Sequence, residues 1–409
     1  MKEFVAKRSR QGVSKTDIIA INTQAIKDKE AGNVVINASI GTFLDDDKKV
    51  GGVELIKDSL KNHINDNLGY PGTCGDLGYC EGVMKYVFED RLEHINSIYS
   101  PFIGATLGGT GAISQAFNLF LEEGELVLLP DVMWTNYKLI AKKAHAGYMT
   151  YSMFDKNGGL NIPSIKETIA KARETSHHVL LVINDPCQNP TGYCMTKEEY
   201  DELFMVLNEE GKKGYLTVLF DIAYISFFHV DGKECALIDK LNEGKCDFLP
   251  LICFSCSKLF GLYGLRVGAL IALCPNEINR DEVKRAFGAQ ARGVYSVPNG
   301  PAEIAVSKVL NNPTKLEELH AQVKQNSDEL AERSAILIKE LDEAGIGYYP
   351  YMSGFFITLK IKNAFEVAEK MKAKHMYVVP MNEDSIRLAI SGLTKGEVAT
   401  LIQGFKELM

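Results

Sequence analysis

The chain has 409 residues, 46% apolar and 24% charged, near the soluble globular average, so a wholly disordered or collagen-like chain is excluded. At roughly 100–200 residues per domain the length allows two to four domains. With 45 Lys+Arg against 53 Asp+Glu the formal charge is −8, and no basic block stands beyond the scatter Lys2, Lys7, Arg8 and Arg10, so nucleic-acid binding by charge is not expected.

In chain order, residues 17–26 have the pattern of an amphipathic helix, within an N-terminal stretch too short to form a core alone. A helical pattern over 113–121 follows a glycine cluster, and short unalternating apolar runs come next at 126–129 and 179–183. Residues 196–207 open with Thr196 and Glu199 in capping-box spacing, which predicts a helix. Further apolar runs occupy 216–220, 249–254 and 267–273. Runs of this kind fit strands buried on both faces, and strands alternating with helices predict an open α/β fold with a mostly parallel sheet. From 301 to 344 the chain reads as charged helix, followed by strand-like pieces at 354–359 and 385–390 and a terminal helix from Thr394. The expected division is a large α/β domain over 46–300 and a smaller α+β domain made of 1–45 and 301–409. The apolar runs 179–183 and 269–274 fall far short of the ~18 residues of a membrane span, and no basic-apolar leader opens the chain, so no membrane association is expected. Nine scattered cysteines, an odd number, argue against a disulfide scaffold and for a cytoplasmic protein.

Four segments carry chemistry. In 255–268, Lys258 stands just past a predicted strand end, the edge where open α/β sheets bind ligands. A lysine among apolar groups and near a second cation, Arg266, loses its proton readily and attacks carbonyls. Ser255 and Arg266 suit a phosphate dianion. Taken alone, Lys258 also reads as an exposed lysine. The cluster Gly108, Gly109, Thr110 and Gly111 before a helix offers backbone N–H groups to an anion, although it lacks a Walker A pattern and an ordinary loop-to-helix junction looks the same. Asp221, at the end of run 216–220, could hold a ring nitrogen protonated, with Tyr224 bonding a ring oxygen; a turn Asp and a half-buried Tyr account for the pair equally well. Asn189 precedes Pro190, which aims it away from helix. Cys253 and Cys256 form a CxxC without a second pair; strand alternation separates them, and both read as packing residues. His177 and His178 have no acidic or cysteine companion at metal spacing, so no metal is expected.

The run Ser255-x-x-Lys258-x-x-Gly261-Leu-x-Gly264-x-Arg266-x-Gly268 resembles the lysine site of the class I/II aminotransferases, the fold-type I pyridoxal-phosphate (PLP) enzymes. The similarity runs from Ile36–Gly41 to Ser385–Leu388. Thr106–Ala112, Trp134–Tyr137, Gly261–Tyr263 and Arg292–Ser296 bring it nearest the aspartate and aromatic branch. The resemblance implies a PLP-transferase fold with Lys258 in Schiff-base linkage to PLP and serving as proton shuttle. Asp221 would pair with the pyridine nitrogen, and Tyr224 and Asn189 with the phenolic oxygen. Gly109, Thr110, Ser255 and Arg266 would hold the phosphate, and Trp134 would stack on the ring. Tyr70 would reach the phosphate of a neighbouring subunit, implying a homodimer with shared sites. Arg387 would clamp the substrate α-carboxylate near Asn189 and Ser39. Arg292, from the partner, would meet a distal carboxylate, while aromatic donors stay compatible because the arginine can swing aside; a solvated surface arginine is the other reading. Three departures stand out: Ser39 replaces a glycine, Tyr137 a histidine that supports the Asp, and Gly108 a serine. The expected function is ping-pong transamination between an aspartate-like or aromatic amino acid and a 2-oxo acid such as 2-oxoglutarate. A PLP lyase or decarboxylase of the same fold is the alternative. A transcriptional regulator on this scaffold would need a DNA-binding module for which about 45 leading residues leave no room.

Overall fold

The computed structural model describes residues 4, 16–66, 68–228 and 235–408. The basic positions Lys2, Lys7, Arg8 and Arg10 lie outside the described residues. Seven strands form the main sheet: β1 (Ser100–Leu107), β2 (Leu126–Pro130), β3 (Gly147–Tyr151), β4 (Val179–Asn184), β5 (Leu216–Asp221), β6 (Leu249–Ser255) and β7 (Val267–Cys274). Their spatial order is β1-β7-β6-β5-β4-β2-β3, with β7 antiparallel to both neighbours and every other pair parallel. Every residue of β4, β5 and β7 is buried, which is why these segments read as continuous apolar runs. Alternation sends Val179, Leu181 and Ile183 into the core on one face, and Leu180 and Val182 into the core on the other. Cys253, on β6, and Cys256, just past its end on the turn Cys256–Leu259, pack into different cores.

The predicted helix at 196–207 is Lys197–Gly211, opened by the Thr196–Glu199 capping box. The helix expected at 113–121 begins five residues earlier, at Gly108, directly after β1. Two strands of the main sheet escaped the sequence reading. β1 contains Pro101 and Gly104, residue types uncommon inside a sheet, yet it pairs with β7 along eight positions. A Cβ on Gly104 would lie 2.5 Å from the Phe287 ring, so glycine there makes room for a helix rather than a turn. β3 is a half-exposed edge strand of five residues.

The expected helix over 301–344 is two helices, Gly300–Leu310 and Pro313–Ala344. Asn312 caps the second by accepting from Lys315 N–H, and Pro313 at its first position cannot continue the preceding one. The first packs Ala302, Val306, Val309 and Leu310 into the core beside the main sheet. A second sheet, β8 (Phe356–Lys360), β9 (Val379–Asn382) and β10 (Ser385–Ala389), is antiparallel in the order β9-β10-β8. It has its own core with the helices Ala364–Ala373 and Lys395–Lys406 and the C-terminal half of Pro313–Ala344. The N-terminal helix, Ile18–Glu30, is capped by Asp17, and Ile36–Asn37 pairs in parallel with Met376–Tyr377. Among the described residues no helix is long and apolar enough to cross a membrane.

His177 and His178 do have an acidic companion in space. Glu125, just before β2, brings ligand atoms of all three within 4.8 Å, a proximity that a separation of more than fifty residues hides. Its carboxylate already accepts from the backbone N–H groups of Glu122 and His178.

Candidate active site

Strands β4, β5 and β6 end side by side at Asn184, Asp221 and Ser255, and β1 delivers its last residue to the same edge. A cleft of about 1420 Å³ opens there, walled also by Ile40–Thr42, Phe356 and Arg387. It gathers Gly109, Thr110, Trp134, Asn189, Asp221, Tyr224, Ser255, Lys258, Arg266 and Arg387, from stretches of chain nearly 280 residues apart.

Lys258 lies on the single turn Cys256–Leu259 that follows β6. Its Nζ donates to the Gly41 carbonyl at 2.8 Å and sits 4.7 Å from the centre of the Tyr263 ring. Burial pushes its pKa down to about 7, and the nearby Arg266 and Arg387 guanidinium groups push the same way. Such an amine is substantially neutral, and nucleophilic, near pH 7.

At the end of β1 the helix Gly108–Phe120 has no side-chain cap, leaving its first N–H groups free for an anion. Arg266 lies against this turn, with Nη1 donating to Ser257 Oγ at 3.2 Å and to the Tyr263 carbonyl at 2.9 Å. A Cβ on Gly108 would lie 2.6 Å from Arg266 Nη2. Glycine rather than serine at 108 therefore lets the guanidinium close on the turn. Ser255 Oγ accepts from Ser257 N–H at 3.3 Å.

Opposite this end, Asp221 is buried, and Tyr137 Oη donates to its Oδ2 at 2.6 Å. Burial raises the Asp221 pKa, while the donors around it and the charge of Lys258 pull it back. Asn184 Nδ2 donates to the Asp221 carbonyl and its Oδ1 accepts from Asn189 N–H, locking β4, β5 and the Asn189 turn into one unit. Asn189 Nδ2 donates to Tyr224 Oη at 3.4 Å, and Trp134 packs edge-on against Tyr137.

On the small-sheet side, Arg387 is buried on β10, its guanidinium 4.5 Å above the Phe356 ring. Burial lowers its pKa to about 10, which leaves it cationic at neutral pH. Its Nη2 donates to the Ser39 carbonyl at 2.5 Å. Ser39, expected beside the substrate carboxylate, is buried and does not line the cleft. Its hydroxyl is spent on Asn37 Oδ1 at 2.6 Å, and the residue lining the cleft there is Gly41.

Tyr70 and Arg292 are not brought to the cleft of their own chain. Tyr70 is 90% exposed, and Arg292 is exposed in the last turn of the helix Glu277–Val294. Asn184, Ser257, Gly41 and Tyr263 belong to the site although none was assigned to it from sequence. Ser257 and Tyr263 stood inside the lysine-site run and could have been flagged by position.

Of the residues lining the cleft, Asn189 and Arg387 each carry a buried polar atom, Oδ1 and Nε, with no hydrogen-bond partner among the described residues. An uncapped helix start beside Arg266, a carboxylate opposite, and these orphaned groups fit a ligand with a phosphate at one end and a basic ring nitrogen at the other. PLP has both.

Residues 33–405 match the family described as aminotransferase class I and II. A tyrosine aminotransferase of Rhizobium meliloti is 27% identical over 401 residues, covering 93% of this chain and 95% of that protein. An aromatic-amino-acid aminotransferase of Paracoccus denitrificans is 30% identical over 349 residues, 83% of each chain. The crystal structure of an aminotransferase from Anaerococcus prevotii superposes with a TM-score of 0.88 at 25% identity, covering 100% of this chain and 99% of that one. With Lys258, Gly109, Thr110, Arg266 and Asp221 assembled in one cleft, the chain belongs to the aminotransferase class I and II family and is a PLP-dependent aminotransferase.

Proposed function

We propose that this aminotransferase takes an aspartate-like or aromatic amino acid as donor and a 2-oxo acid such as 2-oxoglutarate as acceptor, in two half-reactions at one site. The observation that carries this reading is Lys258, an amine with its pKa lowered to about 7, set between Gly41 and two guanidinium groups and facing the cleft that Asp221 closes. The names of the similar proteins, tyrosine, aromatic-amino-acid and aspartate aminotransferase, support the substrate class.

When bound, PLP supplies an aldehyde for the lysine and a ring that withdraws electron density. Asp221 would hold the proton on the ring nitrogen. Tyr224 and Asn189 would hydrogen-bond the ring oxygen, Trp134 would pack against the ring, and Gly109, Thr110, Ser255 and Arg266 would hold the phosphate. The Lys258 amine would act as the base that takes the proton from the substrate Cα and returns it. Arg387 holds the α-carboxylate in a two-point fork that lysine cannot copy, and the Ser39 carbonyl orients that fork.

Homodimerisation and cytoplasmic location belong to the same reading. Exposed apolar side chains, Leu68, Tyr70, Leu77 and Val294, stand on two segments that touch where Gly288 meets Thr73. A second copy covering them would bring Tyr70 and Arg292 to the other subunit's cleft. All nine cysteines are free, as a reducing compartment favours. A large and a small unit also belong to this reading, but residues 301–310, expected in the small domain, pack with the large-sheet core, so the border drawn here falls inside the long helix Pro313–Ala344.

The test is a panel of amino donors with 2-oxoglutarate, on wild type and Arg292→Ala. Selective loss with dicarboxylates, about 10- to 100-fold for a lost charged hydrogen bond, supports the role given to Arg292. Equal rates with both proteins overturn it.

A further inference from the structure

At the edge of the main sheet opposite the cleft, three parallel strands begin in register: Leu126 of β2 pairs with Val179 of β4, and Val179 with Leu216 of β5. The residues just before them, Glu125, His178 and Tyr215, therefore stand in one row at strand spacings of about 4.8 Å. His177 joins the row because the chain bends at 177–178, so strand alternation does not part the two rings. The imidazoles meet nearly at right angles with centroids 4.8 Å apart, and the Tyr215 ring lies 5.0 Å from His177 and 4.9 Å from His178. Glu125 is buried, and the backbone aims its carboxylate: Oε1 accepts from His178 N–H and Oε2 from Glu122 N–H, each at 2.8 Å. Ser176 Oγ donates to the His178 carbonyl and accepts from Leu126 N–H, tying the histidine bend to the start of β2. Burial pushes the Glu125 pKa up, but the two backbone donors and His178 outweigh it and hold the carboxylate below its usual range.

We propose that Glu125, His177 and His178 bind a divalent ion of the zinc type, at a site separate from the catalytic cleft and independent of the cofactor assignment. Ligand atoms of the three residues lie within 4.8 Å of one another, and His178 Nδ1 is 3.1 Å from Glu125 Oε2. Ligands about 2.0–2.2 Å from a tetrahedral zinc stand roughly 3.4 Å apart, so that pair already spans one edge of a coordination shell. Rotation of the exposed His177 ring brings in the third ligand. Oε2 keeps a lone pair for the ion after the Glu122 N–H takes the other. An ion at His178 Nδ1 leaves the imidazole proton on Nε2, so the ring ligates in its neutral form. Three protein ligands leave the fourth position to water. Imidazole nitrogen suits zinc, cobalt, nickel or copper, whereas magnesium and calcium take oxygen shells. The ion would fasten the start of β2 to the start of β4, and the six residues of β5 set this row roughly 20 Å from Asp221.

The experiment adds Zn2+ or Co2+ to the PLP-loaded protein at neutral pH, for wild type, His177→Ala, His178→Ala and Glu125→Gln. Competition with a chromogenic chelator gives the zinc affinity, and the visible spectrum of bound Co2+ reports its ligands. Wild type should bind one equivalent of zinc, and each variant should weaken that binding at least about tenfold, the cost of losing even an outer partner of a metal ligand. Glu125→Gln removes a carboxylate that also anchors backbone; His177 is exposed, so His177→Ala decides the matter even where the glutamine variant fails to fold. Magnesium at the same concentration should not compete. The nine free cysteines are the rival ligands, and a cobalt–thiolate charge-transfer band would betray them. Bound Co2+ should instead show the bands of a four-coordinate nitrogen and oxygen site. No zinc bound by wild type, an affinity unchanged in His177→Ala and His178→Ala, or a thiolate band from the bound ion would each overturn the inference and leave the assignment of the catalytic cleft untouched.

Discussion

Lys258 is costly to the folded, cofactor-free protein. Its folded pKa, about 7, lies below the ~10.4 of an unfolded lysine, so the unfolded state binds more protons between those values. Stability therefore rises with pH across that window, and the cost is greatest below pH 7. Lys258→Met should raise the melting temperature of the PLP-free protein by a few degrees at pH 6, with a gain that shrinks toward pH 10. A gain independent of pH would contradict a titrating buried amine. The same pKa makes the rate of PLP capture climb through pH 7 and level off above it, as stopped-flow absorbance can follow. Burial lowers the Arg387 pKa as well, but only to about 10, so its guanidinium, anchored by the Ser39 carbonyl and the Phe356 ring, stays charged at neutral pH. Arg387→Lys keeps the charge and loses the fork, so kcat/KM should fall about 10- to 100-fold for every amino donor, whatever its side chain.

Elements place these residues through close backbone approach. β7 runs against its neighbours and brings Gly268 so near the Gly108 turn that a Cβ would lie 2.6 Å from the Gly108 carbonyl carbon and 2.8 Å from the Phe254 carbonyl oxygen. Gly268→Ala should force the strand and the turn apart, costing about 1–3 kcal/mol of stability and weakening PLP binding, measured by melting and by titration. Wild-type PLP affinity in that variant would mean the turn yields freely. The buried strands β4, β5, β6 and β7 were legible because burial on both faces demands unbroken apolar runs. β1 was not, since its Pro101 and Gly104 answer to β7 and Phe287, partners far away in sequence. The site divides likewise. Lys258 and Arg266 share one short segment with a recognisable spacing, whereas Asn184 and Gly41 act through bonds across the sheet or between the two sheets. Ser39 shows the limit of alignment by position, because a neighbouring Asn37 captures its hydroxyl.

At the scale of the molecule, the cleft exists only where the main sheet, the small sheet and the loop from Ser39 to Asp46 meet. Arg333, fully buried on the long helix, donates to the Leu44 carbonyl and holds Asp46 and Glu329, while Phe43 N–H donates to Tyr263 beside Lys258. This loop carries Gly41 to the lysine. A second copy of the chain would complete the site with Tyr70 and Arg292. Mixing Lys258→Ala with Arg292→Ala subunits should then restore about a quarter of wild-type activity toward dicarboxylates, since hybrids hold one intact site. Activity no higher than the average of the two parents would contradict shared sites. The central claim is covalent capture of PLP by one lysine, and its most direct measurement is borohydride reduction of the PLP-loaded protein followed by peptide mass mapping. A single pyridoxyl group on Lys258 is the predicted result; a label on any other residue, or none, contradicts the account.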